Sequence, residues 1–247
     1  ARLYGKKVIY SEAYTGGSWQ DHPFGLKAMG DYHYTAGVNR IMFHVWNEQY
    51  IPDARPGIPG AGTPFNHLNT WWNASCGAWG DYLKKCQALL QEGNPATDVI
   101  YFIGENLPAR ALVHPKFGYC FTATPVVPDG YAFDSINRDA LLNLATVQNN
   151  KLVVNGLSYH VLVLREEDSQ ISAKVASKLK EFIAAGLTVV APKPTGCLSL
   201  EEGNSGKQLV LNIADEVWGR IDGKTVVENR YGNGRVCWGK PMEKVLL

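Results

Sequence analysis

Two strand-and-helix segments at the start of the chain constrain its fold most strongly. Residues 7–12 have the β-branched and aromatic run of a buried parallel strand, and this run ends in the carboxylate of Glu12. A helix is predicted from Pro23 to about Ala36, and a second strand over residues 40–46. Both strands are followed by polar and aromatic residues, and the C-terminal strand ends carry the chemistry of a β/α barrel.

A closed barrel of this type has eight such units, whereas only two precede a change of pattern here. Residues 51–66 are rich in proline and glycine and predict a long binding loop or lid, and a long helix is predicted over residues 70–91. We therefore predict that residues 1–95 are the C-terminal portion of a (β/α)8 barrel belonging to a larger enzyme. The exposed strand edge of such a piece should favour self-association.

The remainder of the chain, residues 96–247, alternates strands and helices in a different rhythm. Strands are predicted at 98–103, 151–154, 160–164 and 187–191, helices at 137–146 and from a Ser169 cap to Gly186, and short segments over 208–247. This βαβ alternation predicts a doubly wound parallel sheet. Such a sheet resembles the flavodoxin-like and class I amidotransferase folds.

Composition excludes several classes of function. The formal net charge is +1, which removes the electrostatic case for a nucleic-acid partner. No run of about 18 apolar residues predicts a membrane span. The five cysteines show no metal-ligand spacing, so we predict no metal site and interpret them as small core residues.

Glu12 is the best single candidate for catalysis. It stands where a buried strand becomes a glycine-rich loop, with Trp19 and His22 nearby in the sequence. Cleavage of a glycosidic bond uses two carboxylates, and aromatic side chains can stack on sugar rings. The alternative is a structural carboxylate that pairs with an arginine inside the barrel.

A second cluster follows the second strand. If the strand continued, alternation would place His44, Trp46 and Glu48 on one face, where they could meet Glu12. His44 could equally be a hydrogen-bonded core histidine. Glu48 could be the second carboxylate or a solvated loop residue. We favour substrate binding for this cluster.

The second domain offers less chemistry. An amidotransferase would place a cysteine at the turn after a strand, yet residues 165–168 read REED, and Cys197 falls in a loop. No GxGxxG motif follows a strand, so a dinucleotide site is unsupported. We interpret this domain as catalytically silent.

Several runs along the chain resemble bacterial α-L-rhamnosidases of glycoside hydrolase family 106. They include SEAYT (11–15), GVNR (37–40), TWW (70–72), LSY (157–159), APKPT (191–195) and WGKP (238–241). The resemblance implies an inverting glycosidase with two glutamates, in which Glu12 is the general base and the general acid lies on an earlier strand outside this chain. It also implies calcium assistance in the complete enzyme. The domain order resembles the family 42 β-galactosidases too.

These features together predict a parent enzyme that is periplasmic or secreted and cleaves rhamnosides of plant or microbial glycans. This chain alone should be inactive, since inversion needs both carboxylates. One alternative is a non-catalytic carbohydrate-binding or assembly module that uses Trp19, Trp46 and Trp72. Another is an amidotransferase-like enzyme acting through Cys197 or Cys120.

Overall fold

The chain folds into two units, Ala1–Pro95 and Ala96–Leu247. The computed structural model describes residues 1–60, 65–106, 108–115 and 121–247. Both units combine strands and helices, so the protein is of the mixed α/β class. No helix within the described ranges is long and apolar enough to cross a bilayer.

In its described residues, the first unit contains a two-stranded parallel sheet and two α-helices. Its elements in chain order are β1 (Tyr10–Ala13), α1 (Pro23–Thr35), β2 (Arg40–Phe43) and α2 (Thr70–Leu90). Parallel strands require a crossover connection, and α1 supplies it. The two predicted helices are confirmed to within about one residue, and α1 begins at a proline as expected.

The core of this unit lies on one face of the sheet. Ala13 and Ile41 are buried there against Leu26 of α1 and Leu83 of α2. Side chains alternate along a strand, so the other face carries Tyr10, Glu12 and Met42.

That other face is uncovered in this unit. The side chains of Tyr10 and Met42 are 67% and 48% exposed, and Val8 is 46% exposed. The prediction of a fully buried strand over residues 8–10 is therefore wrong for this chain. The strand begins later, at Tyr10, and the helices contribute core residues to one face only.

Gln87 of α2 and Gln91, which follows the helix, bond to the backbone at the start of β2. The Gln87 side-chain oxygen accepts a hydrogen bond from the Ile41 N–H at 3.3 Å, and the Gln91 amide donates to the Asn39 carbonyl at 2.8 Å. These contacts satisfy backbone groups that a neighbouring strand would otherwise take. They reduce the unpaired edge of β2.

The described part of the second unit contains two sheets and four α-helices. Its strands are β3 (Val99–Phe102), β4 (Phe133–Ile136), β5 (Thr146–Gln148), β6 (Lys151–Val154), β7 (Leu157–Tyr159), β8 (Val161–Leu164), β9 (Thr188–Val190), β10 (Glu228–Tyr231) and β11 (Gly234–Cys237). Its helices are α3 (Arg138–Asn143), α4 (Ala173–Ala184), α5 (Gly203–Trp218) and α6 (Met242–Leu246). The larger sheet has the order β10-β11-β9-β8-β3-β4, and only β10 is antiparallel to its neighbour.

The central strands explain why this sheet could be predicted. Every residue of β3 and β8 is buried, as their uninterrupted apolar sequences indicate. The predicted strands at 151–154 and 187–191 are also present, the second as the shorter β9.

Other predictions for this unit need correction. Residues 146–148 form a strand of a three-stranded antiparallel sheet (β5-β6-β7) and do not extend the preceding helix. The cap of α4 is Ser172 rather than Ser169, because the Ser172 hydroxyl accepts from the Val175 N–H. The long helix α5 replaces part of the short segments expected over 208–247.

Candidate functional site

Glu12 and His44 approach each other at the C-terminal end of the β1–β2 sheet. The His44 Nε2 atom lies 3.9 Å from the Glu12 Oε1 atom. The Thr15 hydroxyl donates a hydrogen bond to the same Oε1 atom at 3.0 Å. The Glu12 side chain is 49% exposed, so a carboxylate held on one oxygen remains open to solvent.

Strand register produces this approach. Ala13 lies opposite Phe43, and the His44 N–H donates to the Ala13 carbonyl at 3.0 Å. Residues that follow two parallel neighbours emerge at the same sheet edge, which is where ligands bind in barrel enzymes. The chain therefore places a carboxylate and an imidazole together at that edge.

The segment after β2 is not a continuation of the strand. The strand ends at Phe43, whereas the prediction extended it to residue 46. Asn47 is buried, and Trp46 and Glu48 on either side of it are exposed, which agrees with the expected alternation over these three residues. A face shared by His44, Trp46 and Glu48 stays a prediction.

Trp46 still presents an aromatic surface near this edge. Its side chain is about half-exposed, and its ring meets the Trp72 ring edge-on at a centroid distance of 5.1 Å. Trp46 also forms an isolated bridge with Phe65. An exposed indole supported from behind by other rings can stack on an apolar ligand face.

Trp19 and His22 lie in the segment between β1 and α1. His22 directly precedes α1, is exposed, and its ring lies near that of Phe24 at 6.5 Å. Trp19 is half-buried. The structure thus brings Glu12 and His44 together but places these two predicted residues on a different segment.

The loop after Glu48 is organised by amide side chains. The Gln49 amide donates to the carbonyls of Asn47 and Ile58, and its oxygen accepts from the Ile58 N–H. A methyl group at Gly60 would lie 2.1 Å from the Asn47 side-chain oxygen, so a larger residue there would displace the buried Asn47 side chain. The predicted binding loop is therefore tied back to the end of the β2 segment.

Thr15 is the functional candidate that sequence reasoning missed. It belongs to a turn that follows Glu12, in which Tyr14 and Gly16 both have positive φ angles. A threonine three residues after a strand-end glutamate and next to a glycine is the signal that could have revealed it.

The carboxylates do not gather into a metal site. Among the described residues, no group of three or more aspartate, glutamate, histidine or cysteine side chains could hold an ion. Calcium takes six to eight oxygen ligands. The described part of this chain therefore does not supply a calcium site from its acidic side chains.

The surroundings of Cys197 do not favour a nucleophilic cysteine. The Cys197 thiol donates to the Glu202 carboxylate at 3.2 Å, and burial raises the pKa of the Cys197 thiol. A nucleophilic cysteine needs the opposite shift. Cys120 lies outside the described residues. Of the described cysteines only Cys237 is fully buried, so the expectation that all of them are core residues is wrong for Cys76, Cys86 and Cys197.

Comparison with known proteins places these features in a family. The family model for α-L-rhamnosidases of glycoside hydrolase family 106 matches residues 1–247. The structure is similar to that of a rhamnosidase from Novosphingobium sp. PP1Y, with a TM-score of 0.83 and 27% identity, covering 99% of this chain and 23% of that one.

A curated relative agrees at the level of glycoside hydrolases. A protein from Formosa agariphila, provisionally named a β-glucuronidase, is 34% identical over 224 residues, which are 89% of this chain and 18% of the relative. The chain thus spans about a fifth of the length of the proteins it matches. With a family model that covers every residue, this chain belongs to the α-L-rhamnosidases of glycoside hydrolase family 106.

Proposed function

We propose that this chain supplies Glu12 as the general base of an inverting α-L-rhamnosidase. The observation that carries the proposal is the convergence of Thr15 and His44 on one oxygen of a half-exposed carboxylate at a strand end. In an inverting reaction, a base carboxylate removes a proton from water as the water oxygen attacks the anomeric carbon. A second carboxylic acid protonates the departing oxygen on the opposite face of the sugar.

The second carboxylic acid would lie outside this chain. We propose that β1, α1, β2 and α2 are the last two βα units of a (β/α)8 barrel. The parallel strands and the uncovered face with Tyr10 and Met42 support this view, because a barrel interior would bury that face. The chain alone should be inactive, since the two carboxyl groups must stand about 6.5–9.5 Å apart across the sugar.

The second unit would be a flavodoxin-like, amidotransferase-like domain without catalysis of its own. Its parallel strands lie in the order second, first, third, fourth and last, which is the flavodoxin-like order. In such folds, ligands bind at the carboxyl ends of two neighbouring strands whose following connections leave in opposite directions. Here these strands are β3 and β8. There the Arg165 guanidinium donates to the Ile103 carbonyl and pairs with Asp168, so the chain's own side chains occupy the crevice.

The substrates would be rhamnosides of plant or microbial glycans, and the enzyme would be periplasmic or secreted. Trp46, Trp19, His22, His44 and Glu48 remain the residues proposed to contact sugar. The exposed face of Trp46 suits the apolar face of a pyranose ring. The β-glucuronidase name of the Formosa agariphila relative offers a second sugar to test.

The test is the hydrolysis of aryl α-L-rhamnoside and aryl β-D-glucuronide by the complete enzyme and its Glu12→Gln variant. We expect turnover of the rhamnoside, an inverted anomer in the first product by NMR, and a loss of activity of about 10³-fold or more in Glu12→Gln. Glu92→Gln, at an exposed position after α2, is the matched control. Full activity of Glu12→Gln, or a retained anomer, would refute the proposal.

A second candidate is a non-catalytic sugar-binding module, which the exposed Trp46 ring supported by Trp72 favours. In that case sugar binding would survive Glu12→Gln, and the complete protein would hydrolyse neither glycoside. Isothermal titration with rhamnose and with a rhamnoside, before and after Trp46→Ala, separates the two functions. An enzyme whose turnover depends on Glu12 excludes the module.

A further inference from the structure

The turn after Glu12 contains a backbone conformation that needs an explanation. Tyr14 has a φ angle of 69°, a left-handed conformation that is uncommon for a bulky residue and costs about 1–2 kcal/mol. The Tyr14 side chain is nevertheless buried, with only 2% of its surface exposed. Strained residues of this kind persist only where the surrounding structure holds them, often beside a functional group.

Aromatic packing holds Tyr14 in place. Its ring contacts those of Phe43, Phe65 and Trp79, at centroid distances of 5.7, 5.9 and 5.6 Å. Gly30 of α1 leaves room for the end of the side chain, because a methyl group there would lie 2.6 Å from the Tyr14 hydroxyl oxygen. The ring is therefore enclosed on several sides.

The consequence of this turn is the direction of Thr15. Because the chain reverses at Tyr14, the Thr15 hydroxyl reaches back to the Glu12 Oε1 atom at 3.0 Å. His44 approaches the same oxygen from β2. Both contacts fall on Oε1, which leaves Oε2 without either of them.

We propose that Thr15 is a positioning residue that fixes Glu12 so that Oε2 faces the attacking water. Tyr14, enclosed by the aromatic rings and by Gly30, sets the turn that aims Thr15. This inference rests on the proposed role of Glu12 as general base. A hydrogen bond to an ionised carboxylate is among the stronger ones in proteins, so its loss should be measurable.

The experiment compares Thr15→Val, Thr15→Ala and Thr15→Ser in the complete enzyme, with aryl α-L-rhamnoside as substrate. We expect kcat to fall about tenfold or more in Thr15→Val and Thr15→Ala, because each removes a hydrogen bond to a charged group. KM should change by less than about twofold, since a residue that acts through Glu12 affects the chemical step rather than substrate binding. Thr15→Ser keeps the hydroxyl and should retain most of the activity.

Gly30→Ala tests whether the packing of Tyr14 orients Thr15. It should lower kcat because the added methyl group displaces the Tyr14 ring, whereas Gly25→Ala on the same helix meets nothing within 4 Å and should not. Circular dichroism of each variant confirms folding. Wild-type kcat in both Thr15→Val and Thr15→Ala, or equal loss in Thr15→Ser, would overturn the inference.

The two proposals fail in different ways. If Glu12→Gln is as active as the wild type, the function proposed for Glu12 is wrong. If Glu12→Gln is inactive but Thr15→Val is unaffected, only the positioning role of Thr15 is wrong.

Discussion

At the scale of single residues, the second unit has a close, largely buried ion pair at the end of β8. The Arg165 Nε atom donates to Asp168 at 2.9 Å, and the two side chains are 11% and 5% exposed. Burial raises the pKa of Asp168, although the guanidinium acts in the opposite direction. Desolvation is thus a substantial part of the energetics of this pair.

Removing only one partner of the pair should be strongly destabilising. We expect Asp168→Ala to lower the free energy of unfolding by up to about 3 kcal/mol, because the largely buried Arg165 guanidinium would keep only its pair with the exposed Glu167 carboxylate. The double variant Arg165→Met/Asp168→Leu should lose less. Urea denaturation of the three proteins measures both effects, and a double variant less stable than Asp168→Ala would contradict this explanation.

Two residues of the site show what could and could not be predicted from the sequence. Glu12 could be predicted from the sequence because it lies near the end of a recognisable strand and shortly before two glycines. Thr15 could not, because its contact with Glu12 depends on the left-handed conformation of Tyr14. That conformation is maintained by aromatic rings distant in sequence, which no local pattern indicates.

At the scale of elements, the backbone N–H groups at the start of α4 donate hydrogen bonds to several side-chain acceptors. The Ser172 hydroxyl accepts from the Val175 N–H, Glu105 accepts from the Ser172 N–H, and Glu202 accepts from the Ala173 N–H. Carboxylates at a helix N-terminus also interact favourably with its dipole. Side chains of the same unit therefore accept the hydrogen bonds that these N–H groups donate.

We expect Ser172→Ala to lower the free energy of unfolding by about 1 kcal/mol, the usual cost of losing a helix cap. Ser169→Ala is the control, because Ser169 lies just before the cap and contributes its backbone carbonyl to Thr195. Thermal and urea denaturation measure the difference. An equal loss in both variants would argue that the cap bond contributes nothing.

The stability that the β10–β11 hairpin contributes to the fold should depend on pH. Lys240 donates to Glu228 at 2.5 Å, and this contact holds the pKa of Glu228 below its usual range, with help from Arg235. A carboxylate whose pKa is lower in the folded state stabilises the fold above its unfolded-state pKa. That contribution is lost as the pH falls through the folded-state value.

Glu228→Gln should therefore be less stable than the wild type at neutral pH, and the gap should narrow below about pH 4. Stability measured by urea denaturation across this range tests the expectation, with Glu201→Gln at an exposed position as the control. A gap that stays constant with pH would rule out the ionic contribution.

Some elements, such as β3 and β8 with their uninterrupted apolar runs, could be predicted from the sequence. Helix α5 in its full length and strand β4 could not. Helix α5 begins with Gly203 and contains Gly206, which hides its start, although Val210, Ile213 and Val217 recur at helical spacing. Strand β4 carries polar residues that a local pattern does not distinguish from a loop. Its place beside β3 comes from long-range pairing.

At the scale of the whole molecule, the uncovered face of the first unit should make the isolated chain associate. Tyr10 and Met42 expose apolar surface on the same sheet face, next to a strand pair with open edges. We expect analytical ultracentrifugation to detect oligomers. The double variant Tyr10→Ser/Met42→Ser should shift them towards monomer, and a wild-type chain that is monomeric at all concentrations would count against the partial barrel.

A partial barrel with Glu12 as its base is tested most directly by hydrolysis of aryl α-L-rhamnoside by the 247-residue chain and by the complete enzyme, measured side by side. Circular dichroism establishes that the chain is folded. We expect no turnover by the chain, and turnover by the complete enzyme that disappears with Glu12→Gln. Turnover by the chain alone would show that both catalytic carboxylates lie within it, and would contradict the partial barrel.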